Sequence, residues 1–80
     1  KAVPDAALAD EVRAVAERLA TMPTLAIALT KYALNRSQGS NLEQHLLVEG
    51  ELQAIAGRSH DCKEGVAAFL EKRKPVFTGH

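Results

Sequence analysis

The densest charge in the chain is Lys72-Arg73-Lys74. Three consecutive cations have two plausible uses. They can hold a phosphate through charge-assisted hydrogen bonds. They can also complement the negative end of a helix dipole, at roughly 0.3–1 kcal/mol each. On charge alone the helix-end reading is the simpler one. Carboxylates come in two close pairs: Glu49 and Glu51 flank Gly50, and Asp61 and Glu64 stand three apart. Paired carboxylates can act as general acid and base. Asp61-x-x-Glu64 has a local reading too, with Asp61 capping a helix and Glu64 closing an Asx version of the capping box. Glu51 falls on a polar face. Glu49 lacks such an account, because its face carries Leu42 and Leu46. His45, His60 and His80 are scattered, and Cys62 is the single cysteine, so no closed four-ligand zinc site assembles from spacing. His80 reads as solvated and Cys62 as an ordinary surface or half-buried thiol. We expect no catalytic residue and no metal ligand.

The elements that must position these residues are all helical. No stretch of β-branched and aromatic residues alternates with period two. The spacing predicts a first helix from about Pro4 to Thr21, with Pro4 and Asp5 suited to its start. Leu8, Val12, Val15, Leu19 and Met22 form its apolar stripe, and Asp10, Glu11, Arg13, Glu17 and Arg18 take the wet faces. A second helix starts at Pro23 and runs to about Arg36. Its Leu25, Leu29 and Tyr32, widened by Ile27, Ala28, Ala33 and Leu34, give it the look of an interior helix. The Ser37–Asn41 break ends it, with Gly39 suited to a left-handed backbone. A third helix runs from about Asn41, its cap, to Ala56, with Gly57 as its stop. Gly50 in its middle costs about 1 kcal/mol relative to Ala, so it serves close helix contact or a bend. A fourth helix starts at Asp61, turns Val66, Phe69 and Leu70 inward, and ends before Pro75.

Eighty residues make one small domain at most. The composition is 46% hydrophobic but only 4% aromatic, so any core is built from Ala, Leu, Val and Ile. At about 25 cal/mol per Å² such a core leaves a thin margin over chain entropy. An apolar face in need of a partner is the expected result. Ten basic and ten acidic residues cancel, which weighs against nucleic-acid binding, as does the shortage of aromatics for base stacking. One cysteine allows no internal disulfide and fits a reducing, cytoplasmic compartment. No apolar run approaches the roughly 20 residues of a membrane span, and we expect no membrane partner. The chain begins Lys-Ala-Val-Pro without an initiator Met, and we expect a fragment.

Several runs resemble one family. Leu19-Ala20-Thr21-Met22-Pro23-Thr24-Leu25-Ala26 is similar to a turn between two helices of the enoyl-CoA hydratase/isomerase (crotonase) superfamily, and Thr30-Lys31 to its next helix. The most specific part is Ser59-x-Asp61-x-x-Glu64-Gly65, followed by Ala68-Phe69-Leu70-Glu71-Lys72-Arg73-x-Pro75-x-Phe77-x-Gly79. Glu49 with Gln53, then Ala56-Gly57-Arg58-Ser59, resembles the phenylacetate-pathway branch, which includes a ring-epoxide isomerase acting on an epoxidised phenylacetyl-CoA.

The resemblance implies an all-α fold of about four helices. Residues 1–80 would be a single C-terminal domain that builds trimers or hexamers and covers part of the coenzyme A site. In the family, two backbone N–H groups of an N-terminal core polarise the thioester and core carboxylates move the proton. None of those residues lies in this chain, so the fragment alone is expected to be inactive as lyase or isomerase. The first Lys of the family's Glu-Lys-Arg segment contacts the nucleotide part of CoA and corresponds to Lys72. An adenine-stacking aromatic of some members falls near Gln53, which is not aromatic, so that role does not carry over. Leu46, Leu47 and Gly50 are candidate lining for the acyl pocket. The implied partners are an acyl-CoA, the chain's own N-terminal catalytic domain and neighbouring subunits. CoA thioester enters as substrate, with no covalently bound cofactor, in fatty-acid or phenylacetate catabolism. The rival reading is a free-standing helical protein-interaction module.

Overall fold

The computed structural model describes residues 1–80. It contains four α-helices and no strand: α1 (Leu8–Ala20), α2 (Thr24–Ser37), α3 (Leu42–Arg58) and α4 (His60–Leu70). A single 3₁₀ turn, Asp5–Ala7, leads into α1. After α4 the chain continues without regular structure to His80. The four helical segments expected from spacing are all present.

Their ends show where local chemistry decides. Asn41 caps α3 as expected. Its side chain accepts from the Gln44 N–H at 2.9 Å, and Gln44 Oε1 accepts from the Asn41 N–H at 3.3 Å, closing a capping box. Gly57 does not stop α3. The helix continues through it to Arg58, and Ser59 makes the break. Ser59 serves both neighbours: its N–H and hydroxyl donate to the Ala56 carbonyl at 3.1 and 2.6 Å, while its Oγ accepts from the Cys62 N–H at 3.0 Å. Ser59 is therefore the cap of α4, and Asp61 already lies inside the helix. Gly39 is not left-handed either. The Gly39 N–H and the Ser40 hydroxyl both donate to the Arg36 carbonyl, at 3.2 and 2.9 Å, and the Ser37 hydroxyl donates to that of Leu34. Side-chain hydroxyls thus finish α2 without a special backbone angle.

The left-handed positions are Lys72 (φ 55°) and Gly79 (φ 86°). At Lys72 the Arg73 N–H donates to the Ala68 carbonyl at 3.0 Å and the Lys72 N–H to that of Phe69 at 3.3 Å. This pair of bonds is a Schellman motif, whose left-handed residue is usually Gly.

α2 packs on α3 and α3 on α4, whereas no other helix packs extensively on α1. Only Asp61 and Ala68 are buried, and Val66, Phe69 and Leu70, expected to turn inward from α4, are exposed because no other element of the chain covers them. The α1 stripe exists as a pattern, but Val12 is 57% exposed and Leu8, Val15 and Leu19 are also open. The molecule measures 47 × 38 × 17 Å, a plate thinner than two stacked helices with their side chains. Its radius of gyration is 16.2 Å, against about 12 Å for a globular chain of this length. Its 6561 Å² of accessible surface is about 1,900 Å² more than a compact monomer of this mass exposes.

Candidate functional site

Two regions gather the chemically interesting residues. One is the end of α4 with the tail that follows. The other is the groove between α2 and α3.

At the first, the tail folds back along α4 and is gripped by two carboxylates. Asp61, 3% exposed, takes the Thr78 N–H on Oδ1 and the Gly79 N–H on Oδ2, each at 2.8 Å. The Asp61 N–H donates to the His80 carbonyl at 2.8 Å. The Thr78 hydroxyl lies 3.3 Å from Asp61 Oδ1 and 3.1 Å from His60 Nδ1, and the His60 and His80 rings stack at 5.3 Å. Burial pushes the Asp61 carboxyl up, but the N–H groups of Thr78 and Gly79, with His60 and the Thr78 hydroxyl, outweigh it and hold it below the ordinary carboxylate value. Gly79 is needed here on two counts. Its φ is positive, and a Cβ would stand 2.7 Å from Thr24 Oγ1. The tail therefore touches the start of α2 as well as α4.

Glu64, one turn on, accepts a two-pronged ion pair from Arg73, Nη1 to Oε1 at 2.6 Å and Nη2 to Oε2 at 3.1 Å. It also accepts the Val76 N–H at 3.0 Å. The Arg73 guanidinium first, and the Val76 N–H second, bring the Glu64 carboxyl down to about 2. Arg73 Nε reaches Glu71 at 2.5 Å. Neither Asp61 nor Glu64 is a cap; both clamp the tail. Of the basic cluster, Arg73 is committed to internal pairing, while Lys72 and Lys74 are exposed and belong to no ion pair.

The second region is a groove of about 480 Å³ whose walls include Ala26, Leu29 and Ala33 from α2 and Leu46, Gly50 and Leu52 from α3. Glu49 and Gln53 add polar groups to it. Leu46 and Gly50 are thus brought together. Leu47 is not among the groove residues and is 69% exposed. A Cβ on Gly50 would meet nothing within 4 Å, so this glycine serves no helix contact inside the chain. Glu49 finds an immediate neighbour in His45, Oε1 to Nε2 at 3.2 Å, while His45 Nδ1 is buried without a partner. Cys62 is exposed. No group of three or more His, Cys, Asp or Glu stands together to hold a metal ion, and no helix is long and apolar enough to cross a membrane.

The tail clamp was hidden from sequence reading because its partners lie up to 19 residues apart, from Asp61 to His80, beyond any local window. The available signals were the tail's composition, with Thr78 and Gly79 after Pro75, and the family-like run that Asp61, Glu64 and Gly79 share.

Known proteins resemble the chain over its whole length. The family model described as enoyl-CoA hydratase/isomerase matches residues 1–80. A 1,2-epoxyphenylacetyl-CoA isomerase of Escherichia coli (strain K12) is 47% identical over 77 residues, covering 96% of this chain and 29% of that protein. A probable enoyl-CoA hydratase of Rhodobacter capsulatus is 44% identical over 79 residues, covering 99% and 31%. Among solved structures, an enoyl-CoA hydratase of Geobacillus kaustophilus HTA426 superposes with a TM-score of 0.89 at 39% identity, over 96% of this chain and 29% of that one. The chain thus spans about 30% of the length of the curated relatives it matches, in their C-terminal region.

Proposed function

The chain belongs to the enoyl-CoA hydratase/isomerase family, and from that premise we propose that it is the C-terminal helical part of an enzyme acting on acyl-CoA thioesters. Its own tasks are to dock onto a catalytic domain and neighbouring subunits, and to close over the nucleotide end of CoA through Lys72. The observation that carries the docking role is the surplus of about 1,900 Å² of surface over a compact monomer of this mass. A stable interface of the obligate kind removes 2,000 Å² or more in total from both sides, so a surplus of this size on one side matches what such partners would cover.

Lys72 is supported by its backbone. A Lys at φ 55° holds a conformation that costs a residue with a Cβ roughly 1–2 kcal/mol, where Gly would sit without strain. Strain kept at a residue with a free ammonium points to a use for that ammonium. The exposed thiol of Cys62 agrees with a reducing cytoplasmic setting. The groove between α2 and α3, with Leu46 and Gly50 in its wall, is the surface we assign to the acyl side. Because the oxyanion donors and proton-moving carboxylates implied by the family lie outside these residues, the chain alone turns nothing over.

The test is a titration of CoA into the isotope-labelled chain, followed by amide shifts. The expected result is a set of shifts around Lys72 and the α3–α4 junction that disappears in Lys72→Ala. An absence of shifts at about 1 mM CoA, near the weak end of specific affinities, would leave docking as the chain's only independent task.

A further inference from the structure

We propose that Glu64 is a positioning residue for Lys72, acting through the turn that Arg73 and Val76 bracket; this rests on the reading of Lys72 as the CoA contact. The Schellman bonds of Lys72 and Arg73 close the helix side of that turn. Its far side is closed by Glu64, which joins Arg73 to Val76: one carboxylate holds the Arg73 guanidinium with both oxygens and the Val76 N–H with Oε1, while Glu71 takes only the Arg73 Nε. Lys72 thus stands next to one anchored residue and four before the other, with no side-chain anchor of its own. A left-handed non-glycine residue relaxes unless its surroundings over-determine it. Glu64 supplies that constraint from within α4, at the cost of using Arg73 up as a ligand-binding cation. The cluster therefore divides its labour. Arg73 fixes the geometry, its planar fork matched to a carboxylate, and Lys72 carries the exposed charge.

The experiment compares the chain with Glu64→Gln, Lys72→Ala and the double variant, with two readouts. The first is the Lys72 backbone angle, from the Hα–Cα coupling and Cβ shift in labelled protein. The second is affinity for CoA, with pantetheine (which lacks the nucleotide) as the control probe. Glu64→Gln is expected to move Lys72 out of the left-handed region. It should also weaken CoA binding by the same roughly fivefold factor as Lys72→Ala, with the double variant no weaker than either and pantetheine unaffected. Arg73→Lys, which keeps the charge but loses the fork, should fall between. Lys72 keeping its left-handed angle in Glu64→Gln overturns the inference, whatever CoA does. So does an additive double variant, or an equal loss for pantetheine. If instead the angle moves but Lys72→Ala leaves CoA affinity unchanged, the positioning of the backbone stands and the assignment of Lys72 to CoA fails. The angle measurement needs no ligand, so it decides even where affinity is too weak to read.

Discussion

Replacing Lys72 by Gly should tighten the end of α4 and weaken CoA binding in the same molecule. Lys72 sits at φ 55°, the left-handed position of a Schellman motif. Glycine removes the Cβ penalty of roughly 1–2 kcal/mol but brings more freedom to the unfolded chain, about 0.5–1 kcal/mol. The net gain then spans about 0–1.5 kcal/mol, centred on about 0.5–1 kcal/mol. The cleanest reporter is the Arg73 N–H, which donates to the Ala68 carbonyl across the motif. A gain of that size slows its exchange with solvent by roughly two- to fivefold relative to Lys72→Ala, which keeps the Cβ and the strain. Both variants lose the ammonium, so both should lose about 1 kcal/mol of CoA affinity, the value of an exposed charge contact. Should Lys72→Gly exchange as fast as Lys72→Ala, the strain argument is wrong. Should it bind CoA as well as the unaltered chain, the ammonium has no part in the site.

Other perturbations address other parts. Because Glu64 is lowered to about 2 from 4.5 and Asp61 lies below 3.8, their grip on the tail is complete above the unfolded carboxylate values and is lost as pH falls through the folded ones. The Val76 amide signal should therefore move with a midpoint near 2, and those of Thr78 and Gly79 as the pH falls below 3.8. Asn41→Ala removes the side chain that accepts from Gln44 and should cost α3 about 1 kcal/mol, seen as lower helicity and faster exchange in its first turn. Gly50→Ala meets no atom within 4 Å and should stabilise α3 by about 1 kcal/mol in the chain alone. In a longer enzyme containing the chain, loss of activity from the same change would show that another element presses on the groove. Gly79→Ala, with its Cβ 2.7 Å from Thr24 Oγ1, should free the tail, and unchanged Asp61-bonded amides would refute the docking described for it.

Sequence reading was reliable where the cause of a structure lay within a few residues. Asn41 and Gln44 are three apart and close a box that the sequence already spelled in half. The helical segments follow from apolar spacing and the absence of strand patterns. It failed where a local pattern had a distant use. Asp61-x-x-Glu64 has the spacing of a capping box, yet Ser59 takes the cap and the two carboxylates turn to a tail that returns from 12 to 18 residues away. Gly57 looked like a stop because glycine often ends helices, but Ser59 offered a stronger end two residues later. The α1 stripe was legible and correctly placed on one face; what no spacing could reveal is that nothing inside the chain covers it. Leu46 and Gly50 share a groove because they lie four apart on α3, and Leu47, next along the helix, points its exposure elsewhere by the same geometry.

The thinness of the molecule has a calorimetric consequence. Heat capacity rises on unfolding because apolar surface is newly wetted, and here more of that surface is wet already than in a compact globule, with Ala68 the one fully buried apolar residue. The chain alone should melt over a wide range with a heat-capacity step well below the roughly 12–15 cal/mol/K per residue of a globule. The missing part of the step should reappear, with opposite sign, in the temperature dependence of the binding enthalpy when the plate meets whatever covers it.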